Sequence, residues 1–290
     1  MPRYFPLSQP ESLAAAIERN VREALAEDIG PVDHTGHLVP ESRNAVARVT
    51  AKQDTIICGA PWFEGCLRAL DPAARISWHV AEGARAANGS SVCTVEADAR
   101  AILAAERSAL NFLQTLSATA SVTARFVAAI EGVSPNPRGC RILDTRKTLP
   151  GMRQAQKYAV RTGGGSNHRM GLWDGVLIKE NHISACGSIG AALVAARKSA
   201  DGVPIQIEVE DLEELEEAVR HGAKSVLLDD FSLDDMHRGF KLAGGRTLLE
   251  VSGGVSLGSV RSIAATGVDR ISVGSLTKNV DAADLSMRLD

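Results

Sequence analysis

The sequence predicts an α/β protein built from two parts, a small α+β unit with an open, largely antiparallel sheet and a larger parallel α/β unit. Strand-like runs separated by turns dominate up to residue 97, whereas strands and helices alternate from residue 141 onward. A long Ala-rich helical pattern and a Pro-containing stretch separate the two regions. We therefore expect domains at 1–116 and 117–277, with the tail 278–290 packing back on the first.

The first part begins with a helical pattern at residues 11–28, where apolar residues recur on one face. A polar stretch follows, in which Asp33, His34, Thr35 and His37 could suggest a metal site. Their spacing matches no common set of metal ligands, so we expect a loop. Strand-like runs then occupy 45–52, 55–59, 74–80 and 91–97, with a short helical pattern at 61–70 and a long one from about 99 to 132.

The second part alternates strand and helix patterns. From residue 204 onward the repeat is about 20–23 residues, as expected of tight βα units in a parallel barrel. Six strands in about 140 residues are too few for eight such units. We therefore expect an incomplete parallel barrel of six or seven strands, with an open doubly wound sheet as the alternative. The predicted strands are 141–147, 176–179, 204–210, 225–230, 248–254 and 270–275.

Composition argues against several classes of function. Aromatic residues make up 4% of the chain and the net charge is −3, which disfavours surfaces that stack bases or bind duplexes. The five cysteines form no CxxC pair, which favours reduced thiols in the cytoplasm and disfavours a zinc site. We find no apolar signal core and no apolar run long enough to span a bilayer, so we expect a cytoplasmic protein with no membrane or nucleic-acid partner.

Positive charge is concentrated in one short segment, Arg138–His182. This segment holds nine Lys or Arg residues against three acids, whereas the whole chain carries −3. It also contains a Gly-Gly-Gly turn and two histidines, His168 and His182, and its cations alternate with strand-like apolar runs. A solvated basic face is the simpler interpretation, but the interleaving favours a pocket for a small, strongly anionic ligand.

Ionisable residues or glycines stand at the carboxyl end of every predicted strand of the second part. Ligands of parallel α/β folds gather at these ends, so we expect one site there. On the strand 204–210, Gln206, Glu208 and Glu210 alternate with apolar residues and should point into the barrel. A buried carboxylate needs a cationic or hydrogen-bonding partner, and the cations available on neighbouring strand ends are Lys179, Arg146 and Lys147. Glycine turns can bring backbone N–H groups close to a phosphate. The strand ends are Arg146–Lys147, Lys179, Glu210, Asp229, Ser252–Gly254 and Gly274.

Six longer motifs are specific enough to indicate a family. They are DTRKTLPGMR at 144–153, GGGSNHRMGLWDGVLIKENH at 163–182, IEVE at 207–210, LLDDF at 227–231, EVSGGV at 250–255 and ISVGSLT at 271–277. Together they resemble quinolinate phosphoribosyltransferase, also called carboxylating nicotinate-nucleotide pyrophosphorylase. The resemblance implies an N-terminal α/β sandwich, an incomplete α/β barrel and a homodimer. It also implies Mg²⁺-dependent conversion of quinolinate and 5-phosphoribosyl 1-pyrophosphate to nicotinate mononucleotide, pyrophosphate and carbon dioxide in NAD biosynthesis.

The resemblance further implies a role for each site residue. Arg107, on the long helix, should reach the site of the partner subunit, and Mg²⁺ should be held mainly by substrate phosphates. The other roles are carboxylate binding by Arg146, His168 and Arg169; contact with substrate and pyrophosphate by Lys147 and Lys179; contact with ribose and metal by Glu210 and Asp229; and a phosphate cradle of Ser252, Gly253, Gly254 and Gly274. The residues expected to be catalytic are Lys147, Lys179, Glu210 and Asp229.

Two positions depart from the family pattern. Asp230 stands where the family usually has asparagine and adds negative charge near a polyanion, while Glu180 replaces the usual aspartate conservatively. Three alternatives stay open, namely a molybdenum-associated paralogue, nicotinate phosphoribosyltransferase, and a non-enzymatic protein that binds sugar phosphates. The complete sets of cations and acids argue against the last of these.

Overall fold

The computed structural model describes residues 10–41 and 43–290. This part of the chain forms two compact units, and the chain returns to the first unit twice. The first unit comprises the chain up to Ser121, Leu149–Gly163 and Asn279–Asp290, and the second comprises Val122–Thr148 and Gly164–Lys278. None of the helices in the described ranges is both long and apolar enough to cross a membrane.

The first unit is built on an antiparallel four-stranded sheet. Its strands are β1 (Asn44–Ala51), β3 (Arg75–Trp78), β5 (Ser91–Asp98) and the C-terminal strand (Leu285–Leu289), while β2 (Thr55–Ile56) pairs separately with β4 (Arg85–Ala86). The C-terminal strand and β5 flank β1, and β3 lies beyond β5. Side chains of β1 alternate, so that Ala47, Val49 and Ala51 are buried in the core. The four predicted strand runs of this region are confirmed.

Helices pack against this sheet through their apolar faces. They are α1 (Leu13–Ile29), α2 (Ala60–Leu70), the first two thirds of α3 (Ala99–Ile130), and α4 (Arg153–Thr162). Trp62 and Phe63 of α2 are fully buried, and Trp62 Nε1 donates a hydrogen bond of 3.2 Å to Asn20 of α1. The three predicted helices are confirmed, and the sequence did not indicate α4.

The polar stretch after α1 forms a turn, as predicted. Asp33 Oδ1 accepts a hydrogen bond of 2.8 Å from the Gly36 N–H, and a single 3₁₀ turn follows at Gly36–Leu38. The Asp33 carboxylate therefore closes a local turn.

The second unit is built on a six-stranded parallel sheet. Its strands are β6 (Arg141–Leu143), β7 (Val176–Ile178), β8 (Ile205–Val209), β9 (Ser225–Asp229), β10 (Leu248–Ser252) and β11 (Arg270–Ser272), in the order β6, β11, β10, β9, β8, β7. All six predicted strands are confirmed. Within the described residues the sheet does not close, because β6 and β7 are its two edges. Ser166 extends the β6 edge through an isolated parallel bridge to Leu143.

The open sheet is curled, which makes it the incomplete barrel that the sequence predicts. His168, two residues beyond the bridge at the β6 edge, contacts Gln206 on β8, near the opposite edge. Ile207 and Val209 of β8 are fully buried. The alternation places polar side chains of β8 inside the curl.

Short helices follow the strands of the second unit. They are α5 (Glu180–Cys186), α6 (Ile189–Ser199), α7 (Leu212–Arg220), α8 (Leu233–Ala243), α9 (Val260–Ala265) and α10 (Ser275–Lys278). Ser188, Asp211 and Ser232 cap α6, α7 and α8, each side chain accepting a backbone N–H of the first turn. These caps fix where each helix begins: α6 begins just after α5, and α7 and α8 begin just after the loops that follow β8 and β9.

Candidate active site

The predicted site residues, apart from Arg107, all lie in the second unit. Arg107 is exposed on α3, in the portion of that helix that belongs to the first unit. The strands of the second unit are parallel, so their carboxyl ends meet at one edge of the sheet. The residues at or beyond these ends are Arg146 and Lys147 after β6, Lys179 after β7, Glu210 after β8, Asp229 closing β9, Ser252–Gly254 at the end of β10, and Gly274 after β11.

Two arginines stand close together in this unit. Burial lowers the pKa of the Arg169 guanidinium, and repulsion from Arg146 lowers it further, while Asp174 opposes the shift. Arg169 Nη1 donates a hydrogen bond of 2.9 Å to the Gly175 carbonyl, which fixes the guanidinium. Neighbouring guanidinium groups are unfavourable unless an anion binds between them, and their forked donors match carboxylates.

The loop that carries Arg169 is anchored by two aspartates. Asp144 is fully buried just after β6, and its carboxylate accepts the His168 N–H at 2.9 Å and the Asn167 amide at 2.5 Å. Asp174 accepts two further backbone N–H groups, from residues 170 and 171, at 2.7 and 3.0 Å. The loop therefore has a defined shape despite its lack of regular secondary structure.

A chain of polar side chains crosses the interior of the curled sheet. His168 Nε2 lies 3.0 Å from the Gln206 amide oxygen, and the Gln206 amide nitrogen donates a 3.0 Å hydrogen bond to Glu250. Ser272 donates to the other oxygen of the Glu250 carboxylate, which lies 3.5 Å from His168 Nε2. Glu250 is fully buried in the middle of β10.

Lys179 is paired with Glu208 in the described structure. Its Nζ lies 2.8 and 2.7 Å from the two oxygens of the Glu208 carboxylate. Glu208 points into the curl, as the alternation of β8 predicts, while Glu210 at the end of the same strand is exposed. The pair directs a cationic head toward the same end of the unit as Arg146 and Lys147.

Glycines make close approaches possible at two of the strand ends. Gly253 and Gly254 adopt φ values of 101° and 53°, which other residues rarely adopt, and a Cβ on Gly253 would collide with the Asp230 carboxylate. A Cβ on Gly274 would lie 3.2 Å from Lys147 Cδ. The Lys147 side chain therefore passes directly over the Gly274 turn, which brings a cation to a glycine turn.

Two open cavities border the carboxyl end of β8, and Glu210 lines both. One has a volume of about 200 Å³ and the other about 250 Å³. The first is lined by Glu180, Ile183, Ser184, Glu208, Glu210 and Glu214, and the second includes Asp211, Glu213, Asp230, Asp235 and Arg238. The linings of both cavities are mainly acidic, in contrast to the positive charge of Arg146, Lys147 and Arg169.

No cluster of three or more His, Cys, Asp or Glu side chains in the described ranges could hold a metal ion. All five cysteines are free. Burial raises the pKa of the Cys66 and Cys93 thiols to about 12, so neither is a metal ligand or nucleophile in this fold.

Sequence reasoning assigned no role to several residues that shape this region. Gln206 and Glu208 were placed inside the barrel, and Lys179 was one of three cations expected to be available to the glutamates, but no partner was assigned to Gln206. Glu250 alternates with buried Leu249 and Val251 along β10, so the same pattern signalled an inward polar side chain there. Asp144, the anchor of the Arg169 loop, had no signal beyond its place after β6.

Comparisons with known proteins agree with this architecture. The model of the quinolinate phosphoribosyl transferase N-terminal domain matches residues 33–117, and that of the C-terminal domain matches 119–288. The carboxylating nicotinate-nucleotide pyrophosphorylase of Mycobacterium leprae is 38% identical over 284 residues, which cover 94% of this chain and 97% of that protein. A Bacillus subtilis protein named as a probable enzyme of the same type is 38% identical, covering 90% and 89%.

A solved structure gives the same result. The nicotinate-nucleotide pyrophosphorylase from Francisella tularensis superposes with a TM-score of 0.90 at 41% sequence identity, covering 95% of this chain and 96% of that one. Both domain models match in sequence order, and the relatives align over nearly their whole lengths. The chain therefore belongs to the quinolinate phosphoribosyl transferase family.

Proposed function

We propose that the chain converts quinolinate and 5-phosphoribosyl 1-pyrophosphate to nicotinate mononucleotide, pyrophosphate and carbon dioxide, a step of NAD biosynthesis. The observation that carries this proposal is the half-buried Arg169 with the exposed Arg146 beside it, in a chain of this family. Quinolinate presents two adjacent carboxylates, and paired guanidinium forks suit such a dianion better than point charges do.

The phosphates of the second substrate fit the glycine-bearing strand ends. Ser252, Gly253 and Gly254 can present backbone N–H groups without an obstructing side chain. Lys147, which lies over Gly274, can neutralise a pyrophosphate oxygen from the same side. Lys179, held by Glu208, supplies a second fixed cation at the carboxyl end of β7.

Glu210 and Asp229 would face the ribose and a bound Mg²⁺. Carboxylate oxygens suit this hard cation, and two acids are too few to hold it alone, so substrate phosphates would supply most of its ligands. When bound, the ion would neutralise charge on the departing pyrophosphate. The acids themselves can stabilise positive charge that develops on the ribose ring.

The chemistry needs positioning more than a protein nucleophile. The quinolinate nitrogen forms a bond to C1 of the ribose as the bond from C1 to pyrophosphate breaks. The quaternised ring then accepts the electron pair left when the adjacent carboxylate departs as carbon dioxide, and a proton from solvent replaces it. The arginine pair would orient the ring, and desolvation of the bound ring would favour loss of the charged carboxylate.

We also propose a cytoplasmic homodimer in which Arg107 of one copy completes the site of the other. Arg107 is exposed on α3, apart from the unit that holds the other site residues, so it is available to a second chain. A two-fold dimer would present it twice and produce two equivalent sites. The five free cysteines fit a reducing compartment.

Product analysis tests the proposed reaction. Purified protein with both substrates and Mg²⁺ should form nicotinate mononucleotide, and chelation of the metal should stop it. Nicotinate, which lacks the carboxylate next to the ring nitrogen, should be a poor substrate because one guanidinium would lose its partner. Efficient turnover of nicotinate would instead support a nicotinate phosphoribosyltransferase.

A further inference from the structure

The fully buried carboxylate of Glu250 lies inside the second unit, where the proposed reaction gives it no role. We infer that Glu250 is a positioning residue that fixes His168 in one neutral tautomer, so that His168 can hold the main chain of Arg169. The consequence for substrate binding rests on the proposed function, whereas the tautomer can be measured without it.

Glu250 determines which group donates and which accepts in each hydrogen bond between Glu250, Gln206 and His168. A carboxylate only accepts, so Gln206 must turn its NH₂ group toward Glu250, over the observed 3.0 Å. The amide oxygen of Gln206 then faces His168 Nε2 at 3.0 Å and can only accept. Nε2 must therefore carry the proton that it donates. Ser272 donates to the second carboxylate oxygen of Glu250, so it does not change which groups donate and accept between Glu250, Gln206 and His168.

An independent contact fixes the other ring nitrogen. The backbone N–H of Arg169 donates to His168 Nδ1 over 2.8 Å, so Nδ1 must be unprotonated. Both constraints give the same state, a neutral imidazole with its hydrogen on Nε2. A doubly protonated ring would lose the bond to Arg169 and would add a third positive charge beside Arg146 and Arg169.

These contacts give His168 a structural role in the loop that carries Arg169. Asp144 holds the His168 N–H, and His168 in turn holds the Arg169 N–H, so successive backbone groups are fixed in space. The Arg169 guanidinium is then fixed by the Gly175 carbonyl. Both ring nitrogens contact protein groups, so we assign His168 to positioning Arg169, while the carboxylate-binding role that the family resemblance implied for it stays a prediction.

Two substitutions at Glu250 distinguish the effect of the Gln206 orientation from the effect of the negative charge of Glu250. In Glu250→Gln the amide can turn its oxygen to Gln206 and its NH₂ to the Ser272 hydroxyl, which keeps the Gln206 orientation. In Glu250→Met nothing requires Gln206 to keep its orientation, so Gln206 can turn its NH₂ toward Nε2 and drive the proton to Nδ1. The matched control is Asp269→Met, which removes a second buried carboxylate that bonds Asn136, Arg138 and the Leu249 N–H before β11.

The tautomer is read by long-range ¹H–¹⁵N correlation of the imidazoles at pH 8. The chain has seven histidines, and comparison with His168→Gln assigns the signal. We expect wild type, Glu250→Gln and Asp269→Met to show a single Nε2–H form, and Glu250→Met to lose it. A mixed or Nδ1–H signal in the wild type, or an unchanged signal in Glu250→Met, would overturn the inference.

Kinetics provide the second measurement. In Glu250→Met the KM for quinolinate should rise about ten-fold, which corresponds to about 1.4 kcal/mol, while the KM for 5-phosphoribosyl 1-pyrophosphate changes less than about two-fold. Glu250→Gln should restore both values, and Asp269→Met should alter neither. Equal impairment of the two Glu250 variants would refute the positioning role. If the wild type itself shows no turnover, the proposed function fails, and the tautomer measurement still decides the inference about Glu250.

Discussion

Arg169 combines a half-buried side chain with a charged neighbour, and its replacement tests the carboxylate pocket. Arg169→Lys keeps the charge but removes the fork that can bind a carboxylate with two hydrogen bonds. We expect kcat/KM for quinolinate to fall about 10- to 150-fold, the equivalent of one charged hydrogen bond of about 1.5–3 kcal/mol. The matched control, Arg75→Lys, removes an exposed arginine of β3 that pairs with Glu96 in the first unit and should change little. Near-wild-type kinetics for Arg169→Lys would exclude it as a carboxylate ligand.

Asp230 is a second residue whose local state predicts a measurable effect. It adopts φ 53°, in the left-handed region, and its carboxylate lies against Gly253 of the proposed phosphate cradle. Asn also tolerates this backbone conformation, so Asp230→Asn should leave the free energy of unfolding nearly unchanged. Loss of an exposed negative charge beside a polyanion should lower the KM for 5-phosphoribosyl 1-pyrophosphate by up to about five-fold. A raised KM would show that the carboxylate assists binding.

Site residues could be predicted from the sequence where a motif coincides with the end of a strand. Their side-chain contacts could not be fully predicted where the partner lies in a distant part of the chain. Arg146, Lys147 and Lys179 follow their strands as expected. The partners of Lys179 and of Gln206 depend on the curl of the sheet, which no local pattern encodes. Alternation gave the side on which Glu208 lies and left Lys179 as one of three candidate cations, and the tertiary structure shows that Lys179 is its partner.

At the scale of elements, the alternation of β8 leads us to expect different roles for Glu208, which is in the strand, and Glu210, which follows it. Glu208 faces inward and holds Lys179, whereas Glu210 is exposed beyond the strand. Glu208→Gln should release Lys179 and lower kcat/KM about ten-fold, the lower bound for a charged hydrogen bond, because Lys179 is 44% exposed. Steady-state kinetics with Glu216→Gln, an exposed glutamate on α7, serve as control. An unchanged kcat/KM would mean that Lys179 does not need its partner.

Glu210→Gln should behave differently. If Glu210 acts on the ribose and metal, quinolinate should still bind while turnover falls. Calorimetric titration with quinolinate, followed by measurement of kcat, distinguishes the two effects. Loss of quinolinate binding with retained binding of 5-phosphoribosyl 1-pyrophosphate would reverse the assigned roles.

Elements with a strong apolar period were predictable, and those without one were not. The helices α1 and α3 follow their apolar stripes closely. By contrast, α4 buries Gln156 and Lys157 among its inward residues, so its sequence shows no apolar stripe. The C-terminal strand buries only Leu285 and Met287, and its existence depends on pairing with β1, more than 200 residues away in sequence.

At the scale of the whole molecule, the proposed dimer predicts complementation between inactive variants. Arg107→Ala and Lys179→Ala should each fold, dimerise and lack activity. After random exchange in an equal mixture, half the dimers are mixed and each has one intact site, so about a quarter of wild-type activity should return. No recovery, with exchange verified independently, would place Arg107 outside the partner's site.

The second unit as a whole places both cations and acids at the carboxyl ends of its strands, which the sequence indicated as a cationic segment and a set of acidic strand ends. The cations are Arg146, Lys147, Arg169 and Lys179, and Lys179 pairs with Glu208, which lines one of the two cavities beside Glu210. A reaction between a dianionic ring and a sugar pyrophosphate with its metal requires both kinds of charge in one site.

Carbon dioxide release tests the account most directly. Quinolinate labelled at the carboxylate next to the ring nitrogen is incubated with the protein and Mg²⁺, with and without 5-phosphoribosyl 1-pyrophosphate. Because decarboxylation needs the quaternised ring, labelled carbon dioxide should appear only with both substrates and in equal amount to pyrophosphate. Release without the sugar substrate, or pyrophosphate formed without carbon dioxide, would contradict the proposed reaction.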